Sequence, residues 1–296
     1  MSSKPKLVFF GNERLATAAP TTAPTLQALV HAGYDVKAVA ASYTEGVSRS
    51  KRPLEIVEVA HAYHIPVLID KPGELIDKLK NLGAEAGVLV AYGRLVPQQI
   101  MDLFPKGIIN IHPSLLPKLR GPTPVETAIL NGERQTGVSL MRLSAEMDAG
   151  PVYVQQKVEL AGSENKFQLA EKLLNIGCQL LRDNLDGILA GSLKPRPQDE
   201  TEVTFSRLLT KAMGKTDFSE PADAIERQVR AFLGFPKTRA VVHGHEIVIT
   251  KARVAKSQTD GALVITCQPG FLEIVELIAP SGKTMTSRDF MRGYLR

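Results

Sequence analysis

The first half of the chain alternates short apolar runs with longer segments in which apolar residues recur every three or four positions. The apolar runs predict β-strands at residues 7–10, 36–42, 66–69, 87–92 and 108–112. The segments between them predict helices at residues 24–32, 53–63 and 74–81. Strands and helices in alternation are typical of βαβ units, so this half of the sequence predicts an α/β fold with a doubly wound, Rossmann-like parallel sheet.

The pattern changes in the second half of the chain. Residues 137–143 and 152–160 predict two strands added antiparallel to the sheet, and residues 166–189 predict one long helix. Residues 191–200 are polar and include Pro195 and Pro197. This composition is typical of an interdomain linker.

Beyond the linker, the chain predicts a smaller unit rich in β-strands. A helix at residues 221–232 is followed by short alternating strands at residues 239–243, 246–254, 262–267 and 272–278. Short strands separated by Gly, Asp and Pro turns fit a small OB-like β-barrel. We therefore expect three parts: a Rossmann-like domain at residues 1–190, a linker at residues 191–207 and a C-terminal OB-like domain at residues 208–296.

Composition argues against several classes of protein. No apolar run reaches the ~18 residues needed to cross a membrane, and the run after Lys6 is too short for a signal peptide. Cys178 and Cys267 stand far apart, so neither a disulfide framework nor a metal site is expected. The loop after the first strand lacks the GxGxxG of dinucleotide-binding folds. We expect a cytoplasmic protein without a membrane segment, a metal ion or a dinucleotide cofactor.

The net charge of +5 is concentrated near the C-terminal end. Residues 208–296 hold 13 Lys and Arg against 9 Asp and Glu, whereas the preceding residues are nearly balanced at 23 against 22. A basic domain beside a neutral one indicates a polyanionic partner, because neutralised phosphates supply affinity. A basic surface that serves only solubility fits the same distribution.

Asn110 and His112 form the most informative pattern in the chain. They close the apolar strand at residues 108–112, and Pro113 keeps His112 in an extended conformation. Because side chains alternate along a strand, both project from one face, at the carboxyl end of a parallel strand where open α/β sheets bind ligands. A single Asn or His is usually structural, but two at this place predict a functional site.

Two other polar motifs have ordinary structural explanations. Thr123, Pro124 and Glu126 have the spacing of a capping box, which predicts a helix that ends near Asn131. Asp148 precedes Ala-Gly-Pro and by itself predicts only a turn. Neither motif indicates chemistry when it is considered alone.

Several motifs together resemble those of the folate-dependent formyltransferases. The chain has Asn-Ile-His-Pro-Ser-Leu-Leu-Pro at residues 110–117, Arg-Gly at 120–121, Thr-Gly-Val-Ser at 136–139 and Met-Asp-Ala-Gly-Pro at 147–151, in the order and spacing of that family. The chain also resembles, over nearly all of its length, the branch of the family that acts on methionyl initiator tRNA. That resemblance includes residues 90–93, 217–219 and 224–232.

The resemblance implies that Asn110, His112 and Asp148 are catalytic. Members of this branch transfer the formyl group of 10-formyltetrahydrofolate to the α-amino group of methionyl initiator tRNA, for translation initiation. Attack of a neutral amine on the formyl carbon creates an oxyanion, which N–H groups of Asn110 and His112 can stabilise. Asp148 would orient or charge the imidazole and assist proton transfer. The reaction requires no metal ion and no covalent nucleophile.

The resemblance also implies a binding site for the folate. The co-substrate lies against Ser114, Leu115, Leu116 and Pro117, where the two prolines of the motif keep the backbone rigid. It also lies against the strand end near Tyr92. The predicted folate site therefore adjoins the predicted catalytic residues.

The tRNA is expected to contact a loop at residues 42–53. Its basic residues are Arg49, Lys51 and Arg52, and in this family such a loop reaches the acceptor stem. A solvated charged loop without a partner also fits these three residues. We expect the protein to act as a monomer that binds methionyl initiator tRNA and the reduced folate.

Two other kinds of function remain open. A sister enzyme would formylate glycinamide ribonucleotide or an amino sugar, or would hydrolyse the same folate; the basic C-terminal domain favours tRNA over these. A non-enzymatic RNA-binding protein would use the OB-like barrel, but such barrels stack bases on aromatic side chains, and this chain has no Trp. Replacement of His112 separates an enzyme from a binding protein.

Overall fold

A computed structural model describes residues 4–42, 54–70 and 72–295 of the protein. The larger of its two sheets lies in the first part of the chain. Its seven strands are β1 Lys6–Gly11, β2 Asp35–Ala40, β3 Val67–Leu68, β4 Ala86–Val90, β5 Ile108–His112, β6 Gln135–Arg142 and β7 Val152–Glu159. They are ordered β3-β2-β1-β4-β5-β6-β7. The first five strands are parallel to one another. As the sequence predicted, the last two are antiparallel additions: β6 pairs antiparallel with β5, and β7 pairs antiparallel with β6.

Helices cover both faces of this sheet. They are α1 Pro24–His31, α2 Glu55–Ala62, α3 Pro72–Lys80, α4 Gln98–Met101, α5 Pro124–Leu130 and α6 Lys166–Leu189. Leu26, Ile56 and Leu173, on α1, α2 and α6, belong to the apolar core on one face. Leu75 and Ile100, on α3 and α4, belong to the core on the other. The arrangement confirms the predicted doubly wound, Rossmann-like fold, because a parallel sheet must be covered on both faces.

The C-terminal part forms a second, antiparallel sheet. Its elements are α7 Ala222–Ala231, β8 Thr238–Val242, β9 His245–Ala255, β10 Leu263–Thr266, β11 Phe271–Ile278, β12 Thr284–Thr286 and α8 Ser287–Tyr294. The strands pair in the order β10-β11-β9-β8, with β12 added to β11. Ile225 of α7 and Phe290 of α8 are buried against the apolar side of this sheet. The prediction of a small C-terminal β-domain is confirmed.

The capping box predicted at the start of α5 is wrong. Thr123 is the N-cap residue, but its side chain makes no capping hydrogen bond and donates instead to the carbonyl oxygen of Arg207 at 2.7 Å. Glu126 is fully buried, and its Oε1 accepts the N–H of Thr17 at 2.8 Å and lies 3.7 Å from Lys166 Nζ. Both side chains of the expected capping box thus bind partners from distant parts of the chain instead of the backbone at the start of α5.

Among the α-helices and strands named above, α4, β12 and α8 have no counterpart in the predictions, and neither do two short 3-10 helices, Glu200–Glu202 and Lys211–Gly214. The helix α4 has four residues, which is too short for a helical repeat to be visible. In α8 the apolar residues that pack on the core, Phe290, Met291 and Tyr294, fall within eight residues, too few for the helical repeat to stand out in the sequence. Its local signal is the cap, since Thr286 accepts the N–H of Asp289 at 3.2 Å.

Candidate active site

Asn110 and His112 lie two residues apart on β5 and share one face of the sheet. Strands β4 and β6 flank β5 on its two sides, where Asn110 is in register with Leu89 and Met141. The exposed fractions of Asn110 and His112 are 5% and 4%. Because β5 is parallel to β4, its carboxyl end lies on the edge where open α/β sheets bind ligands. The two polar side chains are therefore buried at the expected ligand-binding edge.

The imidazole of His112 lies between two oxygen atoms. Its Nε2 is 3.0 Å from the carbonyl oxygen of Leu119. A carbonyl oxygen only accepts hydrogen bonds, so Nε2 carries the proton. Nδ1 faces Asp148 Oδ2 at 3.7 Å. Nδ1 is consequently the ring atom that can take up a proton, and a carboxylate stands beside the charge that would form.

Asp148 reaches this position through an unusual backbone conformation. Its φ is +52°, in the left-handed region, and its Oδ2 accepts the N–H of Gly121 at 2.8 Å. Two residues later, a Cβ on Gly150 would lie 1.9 Å from the carbonyl oxygen of Arg142, so only glycine fits. The turn that the sequence predicted at Asp148 therefore places the carboxylate beside His112. The spacing of residues in the sequence did not indicate this contact.

The loop on the other side of His112 is also held in left-handed conformations. Leu119 has φ +58° and Gly121 has φ +107°. A non-glycine residue in this region costs on the order of 1 to 2 kcal/mol, which tertiary contacts must offset. These residues supply the carbonyl oxygen that meets His112 and the N–H that meets Asp148. Left-handed backbone thus occurs on both sides of the His112–Asp148 pair, at Leu119 and at Asp148 itself.

The predicted folate-binding turn at residues 114–117 follows directly on β5. Ser114 and Leu116 are buried, whereas Leu115 and Pro117 are partly exposed. The Ser114 Oγ donates to the carbonyl oxygen of Lys118 at 2.5 Å. The more exposed pair is the part of this turn that a ligand can reach.

A polar network from β6 and β7 fixes that turn. Ser139 Oγ donates to the carbonyl oxygen of Ser114 at 2.6 Å and accepts the N–H of Leu116 at 3.1 Å. Gln155 Nε2 donates to the carbonyl oxygen of Leu116 and to Ser139 Oγ, both at 2.8 Å. Side chains of β6 and β7 thus fix the backbone of this turn.

Tyr92, the fifth residue predicted to contact the folate, has a buried side chain. Its ring packs edge-on against Phe10 with centroids 5.7 Å apart, and burial raises the pKa of its hydroxyl. Ser42 donates a hydrogen bond to its carbonyl oxygen. The ring therefore belongs to the core, and the contact of Tyr92 with the folate stays a prediction.

The three basic residues predicted to contact tRNA cannot be placed relative to this site. Arg49, Lys51 and Arg52 lie outside the described residues, between Ser42 and Leu54. Their role stays a prediction from the sequence. The described neighbours of this loop are the ends of β2 and α2.

Part of the predicted linker is bound to the edge of the site; we call residues 196–207 the strap. The N–H of Arg196 donates to the carbonyl oxygen of Val152 at 2.8 Å, and the reverse bond has the same length. Further along, the N–H of Arg120 donates to Thr204 at 2.9 Å, and the N–H of Ser206 donates to Arg120 at 2.7 Å. The strap thus adds strand-like contacts to the loop that follows His112.

Arg120 joins the loop to the strap through its side chain as well. The guanidinium is 3% exposed and makes two bonds to the Glu200 carboxylate, of 2.7 and 3.1 Å. Its Nε and a terminal nitrogen also donate to Gln198 Oε1, at 3.1 and 2.9 Å. A buried guanidinium needs such a full set of acceptors, because an unpaired buried charge is strongly unfavourable.

Sequence reasoning missed the residues that support the predicted catalytic set. Ser139 and Arg120 stand inside motifs that were recognised, but no pattern assigned them a partner. Gln155 and Gln198 lie in an alternating strand and in a polar segment, where glutamine is unremarkable. Their roles arise from contacts between distant parts of the chain, which local spacing does not encode.

Glu13 is a buried carboxyl near the same edge of the sheet. Its N–H donates to the carbonyl oxygen of Val90 at the end of β4. Burial raises its pKa to about 7, while hydrogen bonds from the N–H groups of Leu26 and Thr25 act in the opposite direction. The Glu13 carboxyl thus connects the loop that follows β1 to the first turn of α1, at the ligand-binding edge of the sheet.

Two further properties concern the described residues as a whole. Residues 4–42, 54–70 and 72–295 contain no group of three or more His, Cys, Asp or Glu side chains arranged to hold a metal ion. In the same ranges, no helix has the length and apolar character needed to cross a membrane.

Two domains of the chain match known protein families. Residues 25–185 match the formyl transferase family, and residues 208–295 match the formyl transferase C-terminal domain. The first match contains Asn110, His112 and Asp148. The strap lies entirely between the two matched regions.

A relative with the same overall length is methionyl-tRNA formyltransferase from Solibacter usitatus. It is 34% identical over 303 residues, which cover 97% of this chain and 95% of the relative. This agreement over nearly the full length confirms the resemblance predicted from the motifs. It also confirms that the chain is an enzyme of the transferase class.

Solved structures share the fold at lower identity. An N-formyltransferase from Helicobacter canadensis, in complex with folinic acid and dTDP-3-aminofucose, has a TM-score of 0.68 and 19% identity, over 92% of this chain and 98% of that one. HypX from Aquifex aeolicus, in complex with tetrahydrofolic acid, has a TM-score of 0.66 and 18% identity over 100% of this chain. The chain spans about half the length of HypX, 48% of that chain.

The family matches cover both halves of the chain, and the Solibacter usitatus protein aligns with nearly all of it. The buried Asn110 and His112 at the end of β5, with Asp148 beside the imidazole, lie within the matched region. The chain therefore belongs to the formyl transferase family, among the methionyl-tRNA formyltransferases.

Proposed function

We propose that the protein transfers the formyl group of 10-formyltetrahydrofolate to the α-amino group of methionyl initiator tRNA, with Asn110, His112 and Asp148 as catalytic residues. The observation that carries this proposal is the His112–Asp148 pair, with Nδ1 and Oδ2 3.7 Å apart beside a buried Asn110. Full-length similarity to methionyl-tRNA formyltransferases supports the choice of acceptor.

The first chemical step is attack of the neutral amine on the formyl carbon. A carbon–nitrogen bond forms, and the carbonyl oxygen becomes an oxyanion. The Asn110 amide can donate to this oxygen, since no hydrogen bond among the described residues engages its side chain. One such donor typically contributes about 10²- to 10³-fold to the rate in an enclosed site.

The second step moves the proton that the amine loses. Nδ1 of His112 can accept it, because Nε2 already carries a proton and donates to Leu119. The Asp148 carboxylate then stabilises the imidazolium. The proton passes to N10 of the folate as the bond from N10 to the formyl carbon breaks. The products are formyl-methionyl-tRNA and tetrahydrofolate, so atoms and charge balance without a metal ion.

The folate would contact Leu115 and Pro117, the more exposed residues of the 114–117 turn. The neighbouring Ser114 and Leu116 would fix the backbone of the turn. The strand end at Tyr92 would contribute backbone groups. Rigid turns are suited to this purpose, because a preformed site loses less entropy when the ligand binds.

The tRNA would be bound by two regions of the chain. One is the loop with Arg49, Lys51 and Arg52, and the other is the basic C-terminal domain at residues 208–296. In this account residues 1–190 carry the catalysis and residues 191–207 join the two parts. The enzyme acts as a monomer in the cytoplasm, where initiator tRNA is used.

Replacement of His112 by Ala tests the chemistry directly. We expect kcat to fall by at least about 10²-fold while methionyl-tRNA still binds, because the change removes the proton acceptor and not the basic surfaces. His61→Ala, on the exposed side of α2, is the matched control and should keep full activity. Normal turnover in His112→Ala would contradict the proposed mechanism.

A further inference from the structure

Gln198, in the strap, is bound to both loops that form the His112–Asp148 pair. Its Nε2 donates to the carbonyl oxygens of Asp148 at 2.8 Å and Gly150 at 2.7 Å. Its Oε1 accepts two bonds from the Arg120 guanidinium. The amide thus uses both donor hydrogens and both lone pairs of its oxygen, the full capacity of a glutamine side chain.

The contact with Asp148 matters because the backbone there is strained. With φ +52°, Asp148 lies in the left-handed region, which Asp tolerates but which is less stable than an ordinary conformation, so loss of the bond to its carbonyl oxygen would favour relaxation. Such a relaxation would turn the carboxylate away from Gly121 and from His112 Nδ1, which it now meets at 2.8 and 3.7 Å. The two N–H bonds from Gln198 oppose it.

The contact with Arg120 connects Gln198 to the opposite loop. Arg120 stands between Leu119, whose carbonyl oxygen orients His112, and Gly121, whose N–H holds Asp148. Its guanidinium is buried and fixed by Glu200 as well as by Gln198. A single amide therefore links the backbone on both sides of the His112–Asp148 pair.

We propose that Gln198 is a positioning residue, which holds Asp148 and the His112 loop in the arrangement that formyl transfer requires. The reaction named in this inference rests on the proposed function. The positions of Asp148 and His112 can be tested without it. Gln198 acts through those residues and touches no reacting atom. A displacement of about 1 Å in a catalytic group can lower the rate about 10²-fold.

The test compares Gln198→Glu and Gln198→Ala with the wild type in steady-state formylation of methionyl initiator tRNA. Glu has the shape of Gln, but its carboxylate has no N–H for the two carbonyl oxygens. We expect kcat to fall about 10- to 10²-fold in both variants, with KM for either substrate changed less than about threefold. Gln179→Glu, the same change at an exposed position on α6, should leave both constants unaltered.

A double-mutant cycle with Asp148→Ala separates positioning from general loss of stability. If Gln198 acts through Asp148, then Gln198→Ala lowers kcat much less in the Asp148→Ala background than in the wild type. Independent, multiplicative losses in kcat would overturn the inference, as would a kcat within about twofold of the wild type in both Gln198 variants.

The ¹⁵N resonance of His112 Nδ1 provides a readout that needs no substrate. We expect Gln198→Ala to move this resonance in the same direction as Asp148→Ala, since both remove the carboxylate from the ring. An unchanged resonance in Gln198→Ala would overturn the inference. If the wild type does not formylate methionyl-tRNA, the proposed function is wrong, yet the resonance still decides whether Gln198 positions Asp148.

Discussion

At the scale of single residues, Glu13 shows how burial and hydrogen bonding compete. Its two carboxyl oxygens accept the N–H groups of Thr25 and Leu26 in the first turn of α1, each at 2.9 Å. These bonds and the helix dipole favour the charged form, whereas full burial disfavours it. Burial is the larger effect and raises the pKa to about 7. The carboxyl therefore titrates near neutral pH.

This titration predicts a pH-dependent stability. Because the pKa is raised above the value of 4.5 for the unfolded chain, the folded state binds the extra proton between these two values. The stability that this group contributes is present below pH 4.5 and is lost as the pH rises through about 7. Relative to Glu13→Gln, which does not titrate, the wild type should lose on the order of 2 kcal/mol between about pH 5 and pH 8.

Urea unfolding at a series of pH values measures this difference. Glu58→Gln, at an exposed position on α2, is the matched control and should follow the wild type. Parallel pH profiles for the wild type and Glu13→Gln would show that Glu13 keeps one protonation state throughout the range.

At the scale of elements, the strap packs closely against the backbone of Gly121. A Cβ at this position would lie 2.7 Å from the carbonyl oxygen of Ser206, and φ is +107°. The strap can pair with the backbone of Arg120 only because Gly121 has no side chain. The loop after His112 and the strap therefore form one packed unit.

Gly121→Ala should separate the strap from this loop. We expect a lower melting temperature and a fall in kcat of about 10-fold or more, since Asp148 loses the fixed N–H that orients it. Gly33→Ala is the matched control, because Gly33 has φ +80° but open space around its Cβ. It should lose stability from strain and keep its kcat. Equal losses of stability and full activity in both variants would contradict the role of the close contact.

The elements also show what a sequence can predict and what it cannot. The bounds of β5 and α6 agree with their predictions, because β5 is a distinct apolar run and α6 has a helical repeat with a local capping box at Asn165 and Gln168. The same kind of motif failed at Glu126, where Lys166 and Thr17, far along the chain, bind the carboxylate. Local patterns predict elements, whereas partners across the fold depend on packing.

The residues of the candidate site also fall into two groups, those that the sequence predicted and those that it did not. Asn110 and His112 followed from strand alternation and Asp148 from family resemblance, because these residues stand in motifs. Gln198 stands in a polar segment that resembles an ordinary linker, and its four hydrogen bonds appear only when the strap folds onto the loops. Supporting residues are therefore the part of this site that sequence reasoning misses.

At the scale of the whole molecule, a buried ion pair lies where the C-terminal part meets the Rossmann-like domain. Lys166 Nζ donates to the carbonyl oxygen of Phe235, just beyond α7, at 2.8 Å and lies 3.7 Å from Glu126 Oε1. Both side chains are fully buried, and burial lowers the pKa of Lys166. Close by, Arg230 donates to the carbonyl oxygen of Glu164 at 2.7 Å. Polar contacts thus fix the two parts relative to each other.

Lys166→Met should destabilise the protein strongly, because it leaves the Glu126 carboxylate buried without its cation. We expect a loss of about 3 to 5 kcal/mol in the free energy of unfolding. The double variant Lys166→Met, Glu126→Leu should recover part of this loss, since it removes both charges. Lys172→Met, at an exposed position on α6, is the matched control. A loss below about 1 kcal/mol in Lys166→Met would show that the pair contributes little.

A transfer assay shows whether this chain formylates methionyl initiator tRNA. The purified protein is incubated with 10-formyltetrahydrofolate and methionyl initiator tRNA, beside free methionine, glycinamide ribonucleotide, an amino-sugar nucleotide and a sample without acceptor. We expect formyl-methionyl-tRNA as the one formylated product, with a rate at least about 10²-fold lower in Asn110→Ala. Formylation of a small molecule, or release of formate without an acceptor, would contradict it.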